Sequence, residues 1–250
     1  MKRPGAFYGI GLGPGDPELL TIKAARVLRG VDIVVCRPSY EDARRPNDVY
    51  RIAEPYLRAG IRPRIFDHLS NHPGSARAKV FLAQAAELVK CLKAGKRVAF
   101  VLAGDPLVYS PFIALAVKVR ELLPSAVIRV VPGVSSMQAA AAAASVPLVG
   151  RARIGGPPDR LLVVHAPESL GDLKSILREH DTIVLFHVGI VFRAVVAALR
   201  EAGRLGDAVL VEKASRPGAT VTPARELGRE VRAPRHGLMI VSRHRPAFRS

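Results

Sequence analysis

Short apolar runs alternate with stretches of helical period from one end of the chain to the other, which predicts an α/β protein of largely parallel sheets. Residues 7–12 read as a first strand. The helix after it is clearly punctuated: Asp16 stands at the N-cap, Pro17 at the first helical position, Leu20, Ala24, Val27 and Leu28 share one face, and Gly30 stops it. A strand at 31–35, a helix near 48–57, a short strand at 62–66, a long helix at 76–93 and a buried strand at 98–102 follow. A helix at 111–122 closes this half, and Leu123-Pro124-Ser125 is the best linker. The pattern then restarts with a strand at 127–131 and an alanine-rich helix. Further strands are expected at 161–165, 182–187, 208–212 and 238–242, with helices at 170–179 and 191–201. The expectation is two α/β domains, 1–123 and 124–250.

Composition narrows the class. The 250 residues are 49% hydrophobic, enough for substantial cores. The basic start is interrupted by Gly, Pro and Asp where a signal peptide needs an apolar core, and the alanine run at 139–144 is too short to span a bilayer, so no membrane partner is expected. Cys36 and Cys91 stand far apart without a C-x-x-C pattern, which favours a reducing cytoplasm and argues against a zinc site. The net charge of +17, carried mostly by arginine, suggests a polyanionic partner, because guanidinium groups bind carboxylate and phosphate with paired hydrogen bonds. The charges are scattered, Trp is absent and aromatics make up 5% of residues, so nucleic acid is not the expected polyanion.

Three turns carry the candidate chemistry. GIGLGPGDP, from Gly9 to Pro17, holds four glycines and two prolines between a strand and a helix. Such a turn ordinarily receives a phosphate, yet the dinucleotide pattern would need Gly at position 14 or 16, where Pro14 and Asp16 stand, and no Gly-Lys-Ser/Thr occurs. Asp16 adds a negative charge, so the expected guest is neutral or cationic. Ala103-Gly104-Asp105-Pro106, running on to Tyr109, and Pro132-Gly133-Val134-Ser135-Ser136 have the same build after their own strands. Ligands of open α/β sheets lie at the carboxyl ends of strands, so the three turns are expected to line one cleft. His68 and His72, four apart beside Asp67, have metal-ligand spacing, but Asn71, Pro73 and Gly74 mark a loop, and no metal is expected.

In these turns the chain resembles the tetrapyrrole (corrin and porphyrin) methyltransferases, with weaker matches at Phe186-His187-Val188-Gly189 and Val211-Glu212-Lys213-Ala214-Ser215. The segment from Gly104 to Phe112, with Leu107-Val108-Tyr109-Ser110, is most similar to the precorrin-2 C-20 branch, though Pro111 stands where that branch usually has Thr, and 151–159 departs from the family pattern. The resemblance implies two α/β domains with S-adenosylmethionine in a cleft between them, and a homodimer. It implies cofactor contacts from Pro14, Ala103, Gly104, Asp105, Val108, Ser135, Ser136, Val188 and Ala214. Asp105 is expected to pair with the cofactor's ammonium or to face the reacting carbon, and Asp105 or Tyr109 to assist loss of the displaced proton. The substrate implied is precorrin-2 or cobalt-precorrin-2, whose acetates and propionates suit arginines. Relatives that act on uroporphyrinogen III usually carry Phe-x-Phe where Leu107-Val108-Tyr109 stands, others methylate ribosomal RNA, and a carrier without turnover is the remaining alternative.

Overall fold

The structure is a computed structural model that describes residues 5–39, 42–67, 74–150, 159–166, 170–227, 233–234 and 237–243. The chain divides into two compact units, Met1–Ser135 and Ser136–Ser250. The first is built on five strands: β1 (Ala6–Gly11), β2 (Ile33–Cys36), β3 (Pro63–Ile65), β4 (Arg97–Leu102) and β5 (Val127–Val131). Their order is β3-β2-β4-β1-β5 and every pairing is parallel. Alternation along the strands sorts their side chains between two cores. Tyr8, Ile10, Ala99 and Val101 join the core that receives α1 (Ile22–Leu28) and α2 (Tyr50–Ala53). Phe7, Val98, Phe100 and Leu102 join the core formed with α3 (Gly74–Lys93) and α4 (Pro111–Leu122).

The strand at 127–131, expected to open a second half, pairs with β1 instead, with Tyr8 opposite Arg129. The first unit therefore runs beyond the expected boundary at 123: a loop after α4 only marks a turn, and the free edge of β1 is where the next strand found its hydrogen bonds. Other boundaries moved for local reasons. Asp16 caps a 3₁₀ turn, Pro17–Leu19, by accepting from Glu18 N at 2.9 Å; Leu20 is extended, and α1 starts afresh with Thr21 Oγ1 accepting from Ala24 N at 3.1 Å. The helix expected at 48–57 is one α turn followed by a 3₁₀ turn, Glu54–Tyr56, because Pro55 has no N–H to continue the ladder.

The second unit begins with α5 (Ser136–Ala144) and carries β6 (Leu161–His165), α6 (Leu173–Glu179), β7 (Thr182–Phe186), α7 (Phe192–Glu201), β8 (Ala208–Glu212), β9 (Thr220–Pro223) and β10 (Gly237–Ser242). Its sheet runs β6-β7-β10-β8-β9. The α/β class and the mainly parallel pairing hold over the two sheets together. In this second sheet β6 and β7 are parallel, while β10 enters antiparallel between β7 and β8, and β9 returns antiparallel to β8. Leu173, Leu177, Val195 and Leu199 of α6 and α7 pack with Ile183, Leu185, Leu210, Met239 and Val241 to form its core. Among the described residues no helix is long and apolar enough to cross a membrane.

Candidate active site

The three glycine turns meet at the carboxyl ends of β1, β4 and β5. A Cβ on Gly11 would lie 2.4 Å from Gly104 O and 2.7 Å from Gly133 N, and one on Gly133 would lie 2.3 Å from Gly104 O and 2.9 Å from Gly11 Cα. No side chain fits at either place. Gly104 N donates to Gly13 O at 2.8 Å, an isolated bridge that joins the first two turns. The bareness of these segments is thus used first by the turns against one another, and their meeting point is rigid for that reason.

Asp105 ties the second turn to the third. Its Oδ1 accepts from Leu107 N at 2.8 Å within its own turn, and its Oδ2 accepts from Gly133 N at 3.1 Å across the gap. Both carboxylate oxygens hold main-chain amides, so the residue expected to face the cofactor also has a positioning role. Tyr109 takes a left-handed conformation, φ 46°, and is 45% exposed, just before Ser110, whose Oγ caps α4 by accepting from Phe112 N at 3.1 Å. A tyrosine at positive φ is strained, and such strain gathers at functional sites. Around this core Ala103 is exposed, Asp105 and Val108 are half-buried, and Pro14, Gly104 and Ser135 are buried. The accessible rim thus pairs the small Ala103 with two large exposed side chains, Leu107 and Tyr109, over the buried glycine junction.

Six of the expected residues, Pro14, Ala103, Gly104, Asp105, Val108 and Ser135, come together with Tyr109 in the first unit. Ser136 opens α5 in the second. Val188, fully buried, opens a 3₁₀ turn directly after β7, and Ala214 follows β8 between Lys213 and Ser215, both at positive φ. Because β10 is antiparallel to both β7 and β8, those two strands point the same way, and Val188 and Ala214 mark one edge of the second sheet. The same end of the sheet holds a feature that the sequence does not announce. His165 ends β6, His187 follows β7 at φ 58°, and their ring centroids lie 4.7 Å apart. Two histidines closing successive parallel strands were the signal that could have paired them.

Not all the arginines suited to a polyanion are available to one. Buried Arg37 donates from Nη1 to Phe66 O at 3.2 Å and to Asp67 O, with its guanidinium 5.7 Å from the Phe100 ring centroid. Buried Arg204 gathers the carbonyls of Leu177, His180 and Asp181 and pairs with Asp207. His68, His72 and 151–158 lie outside the described residues.

The model of the tetrapyrrole (corrin/porphyrin) methylases matches residues 6–228. The cobalamin biosynthesis protein CobIJ of Mycobacterium tuberculosis is 38% identical over 239 residues, covering 91% of this chain and 44% of that protein; the chain spans less than half the length of this relative. The cobalt-precorrin-2 C(20)-methyltransferase of Salmonella typhimurium is 32% identical over 219 residues, 86% of each chain. Among solved structures, the uroporphyrin-III C-methyltransferase of Thermus thermophilus complexed with S-adenosylhomocysteine is similar with a TM-score of 0.64 and 25% identity, covering 96% of this chain and 98% of that one.

Proposed function

The chain belongs to the tetrapyrrole (corrin/porphyrin) methylase family, and from that membership we propose that it transfers a methyl group from S-adenosylmethionine to C-20 of precorrin-2 or cobalt-precorrin-2 in cobalamin biosynthesis. The observation that carries this choice is the match to the Salmonella C(20)-methyltransferase over 86% of both chains. The turn cluster fits the methyl donor: a sulfonium cation and a flat adenine need close main-chain approach and no phosphate cradle. The cofactor site comprises Pro14, Ala103, Gly104, Asp105, Val108, Ser135, Ser136, Val188 and Ala214.

Bound there, S-adenosylmethionine supplies an electrophilic methyl group. Its sulfur would leave as a neutral thioether keeping the electron pair of the broken carbon–sulfur bond, and the methylated C-20 would then give up its proton. This is an in-line displacement with a good leaving group, so holding the two reactants in line supplies much of the acceleration. The rigid Gly11–Gly104–Gly133 junction provides that fixity, and Asp105 maintains it through Gly133 N. Tyr109, exposed at the rim, is the substrate-facing residue that assists proton loss. Exposed Ile113 and Val117, four apart on α4, support a homodimer, and the chain works in the cytoplasm.

Incubation with methyl-labelled S-adenosylmethionine and precorrin-2, metal-free or cobalt-loaded, tests the reading. Label at C-20 is expected, and the preferred form identifies the substrate. Label appearing only with uroporphyrinogen III or with ribosomal RNA would replace it with one of the relatives' activities.

A further inference from the structure

On the α1-bearing face of the first sheet, a cleft of about 330 Å³ opens between α1 and the β1–β5 edge, lined by Tyr8, Lys23, Arg97 and Arg129 with valines from α1 and β5. Three of these four polar groups are cations and no carboxylate lines the cleft. Among the described residues none of the three pairs with an acid within salt-bridge distance. Asp32 is the acid that touches this region, and it is fully engaged: Oδ2 accepts from the backbone N of Arg97 at 2.8 Å and Oδ1 pairs with Arg58 at 2.9 Å.

Arg97 is held in place by neutral partners. Its Nη2 donates to Tyr8 Oη at 3.3 Å and its guanidinium lies 5.4 Å from the Tyr8 ring centroid. The far side of the guanidinium occupies space that a side chain at position 30 would need, since a Cβ on Gly30 would stand 2.6 Å from Nη1. The Tyr8 hydroxyl, accepting from Arg97, keeps its own proton to donate. Tyr8 lies opposite Arg129 in the β1–β5 register, so the phenol and the second guanidinium project from the same face of adjacent strands. An oxyanion seated there meets a phenol proton, two forked guanidiniums and an ammonium. Arg97 opens β4, at the far end of the sheet from the glycine turns, while Val131, which also lines the cleft, ends β5 just before the third turn, so the cleft extends along the strands with its cations set back from the turn cluster.

We propose that this cleft is a binding site for a small oxyanion of two or more negative charges, a phosphate ester or a polycarboxylate, held by side chains that the proposed methyl-donor site does not use. The cleft volume suits a small organic molecule, and charge-assisted hydrogen bonds supply the selectivity for anions. The proposal does not depend on which tetrapyrrole is methylated.

Calorimetric titration of the whole chain with inorganic phosphate, tricarballylate and the octacarboxylate uroporphyrin tests it. Saturable binding that weakens as salt rises is expected for at least one probe. Binding of phosphate or tricarballylate identifies a small free anion as the occupant, whereas binding of uroporphyrin alone that Arg129→Gln leaves unchanged belongs to the tetrapyrrole site and counts against the cleft. Arg129→Gln, which alters an exposed side chain, is expected to weaken that binding about tenfold, with Arg97→Gln at least as damaging. Tyr8→Phe is expected to cost several-fold. Melting temperature serves as the fold control for each variant. No saturable binding of any probe to the wild type, or binding unchanged in Arg129→Gln and Arg97→Gln, would overturn the proposal.

Discussion

At the scale of single residues, the site rests on places where a side chain cannot be. Gly133 faces Gly104 O and the backbone of Gly11, groups that cannot swing aside as a flexible side chain would. Gly133→Ala is therefore expected to destabilise the protein by about 1–3 kcal/mol, the range for forced overpacking, and to weaken S-adenosylhomocysteine binding as the junction opens. Urea unfolding and calorimetry read the two effects; an alanine variant of native stability would show that the turns do not touch as described. Cys36 illustrates the opposite kind of residue. Burial pushes its thiol up to about 12 from an ordinary 9.0, against a smaller pull downward from the Asn47 backbone amide. The neutral thiol's contribution to stability is then full below about pH 9 and is lost as pH rises from there toward 12, because the unfolded chain ionises first. At pH 8 the native Cys36 should stay unmodified by iodoacetamide for hours and react promptly in urea, as peptide mass spectrometry would report. Rapid native labelling would contradict that burial.

At the scale of elements, the sequence was most readable where a strand is buried on both faces. The apolar runs at β1, β2 and β4 announce a parallel sheet, and the shared glycine, proline and small polar composition of the turns that close β1, β4 and β5 marks them as one set. Partner choice was less readable. Nothing in Val127–Val131 says which sheet it joins, because an apolar strand fits either, and its place beside β1 was decided by a free edge distant in sequence. Strand β9 escaped notice because Thr220–Pro223 is partly exposed, polar and ended by proline, as an edge strand tends to be. The two-sided role of Asp105 and the pairing of Tyr8 with Arg97 were likewise hidden, since each joins residues from separate segments. Arg204 is the element-scale case with a measurable consequence. It ties the end of α6 to the loop before β7 through three carbonyls and reaches Asp207 after α7. Arg204→Met leaves those acceptors and the partly exposed Asp207 carboxylate without their donor and is expected to cost about 1–3 kcal/mol. Denaturant unfolding checks this, and a loss below 1 kcal/mol would make the network incidental.

At the scale of the whole molecule, a charge of +17 is divided between structural and available cations. Arg37 and Arg204 are absorbed into the folds of their units, while Lys23, Arg97 and Arg129 face a cleft without an acid. The charge is therefore divided between cations that hold the fold and cations that face open space, a division that composition alone does not reveal. The central claim is the proposal that the junction of Gly11, Gly104 and Gly133 in the first unit carries the methyl-donor site. A crystal structure of the protein grown with S-adenosylhomocysteine tests it most directly. The expected result is one ligand against the main chain of Ala103, Gly104 and Asp105 and against Pro14. A ligand bound away from the glycine junction would contradict it.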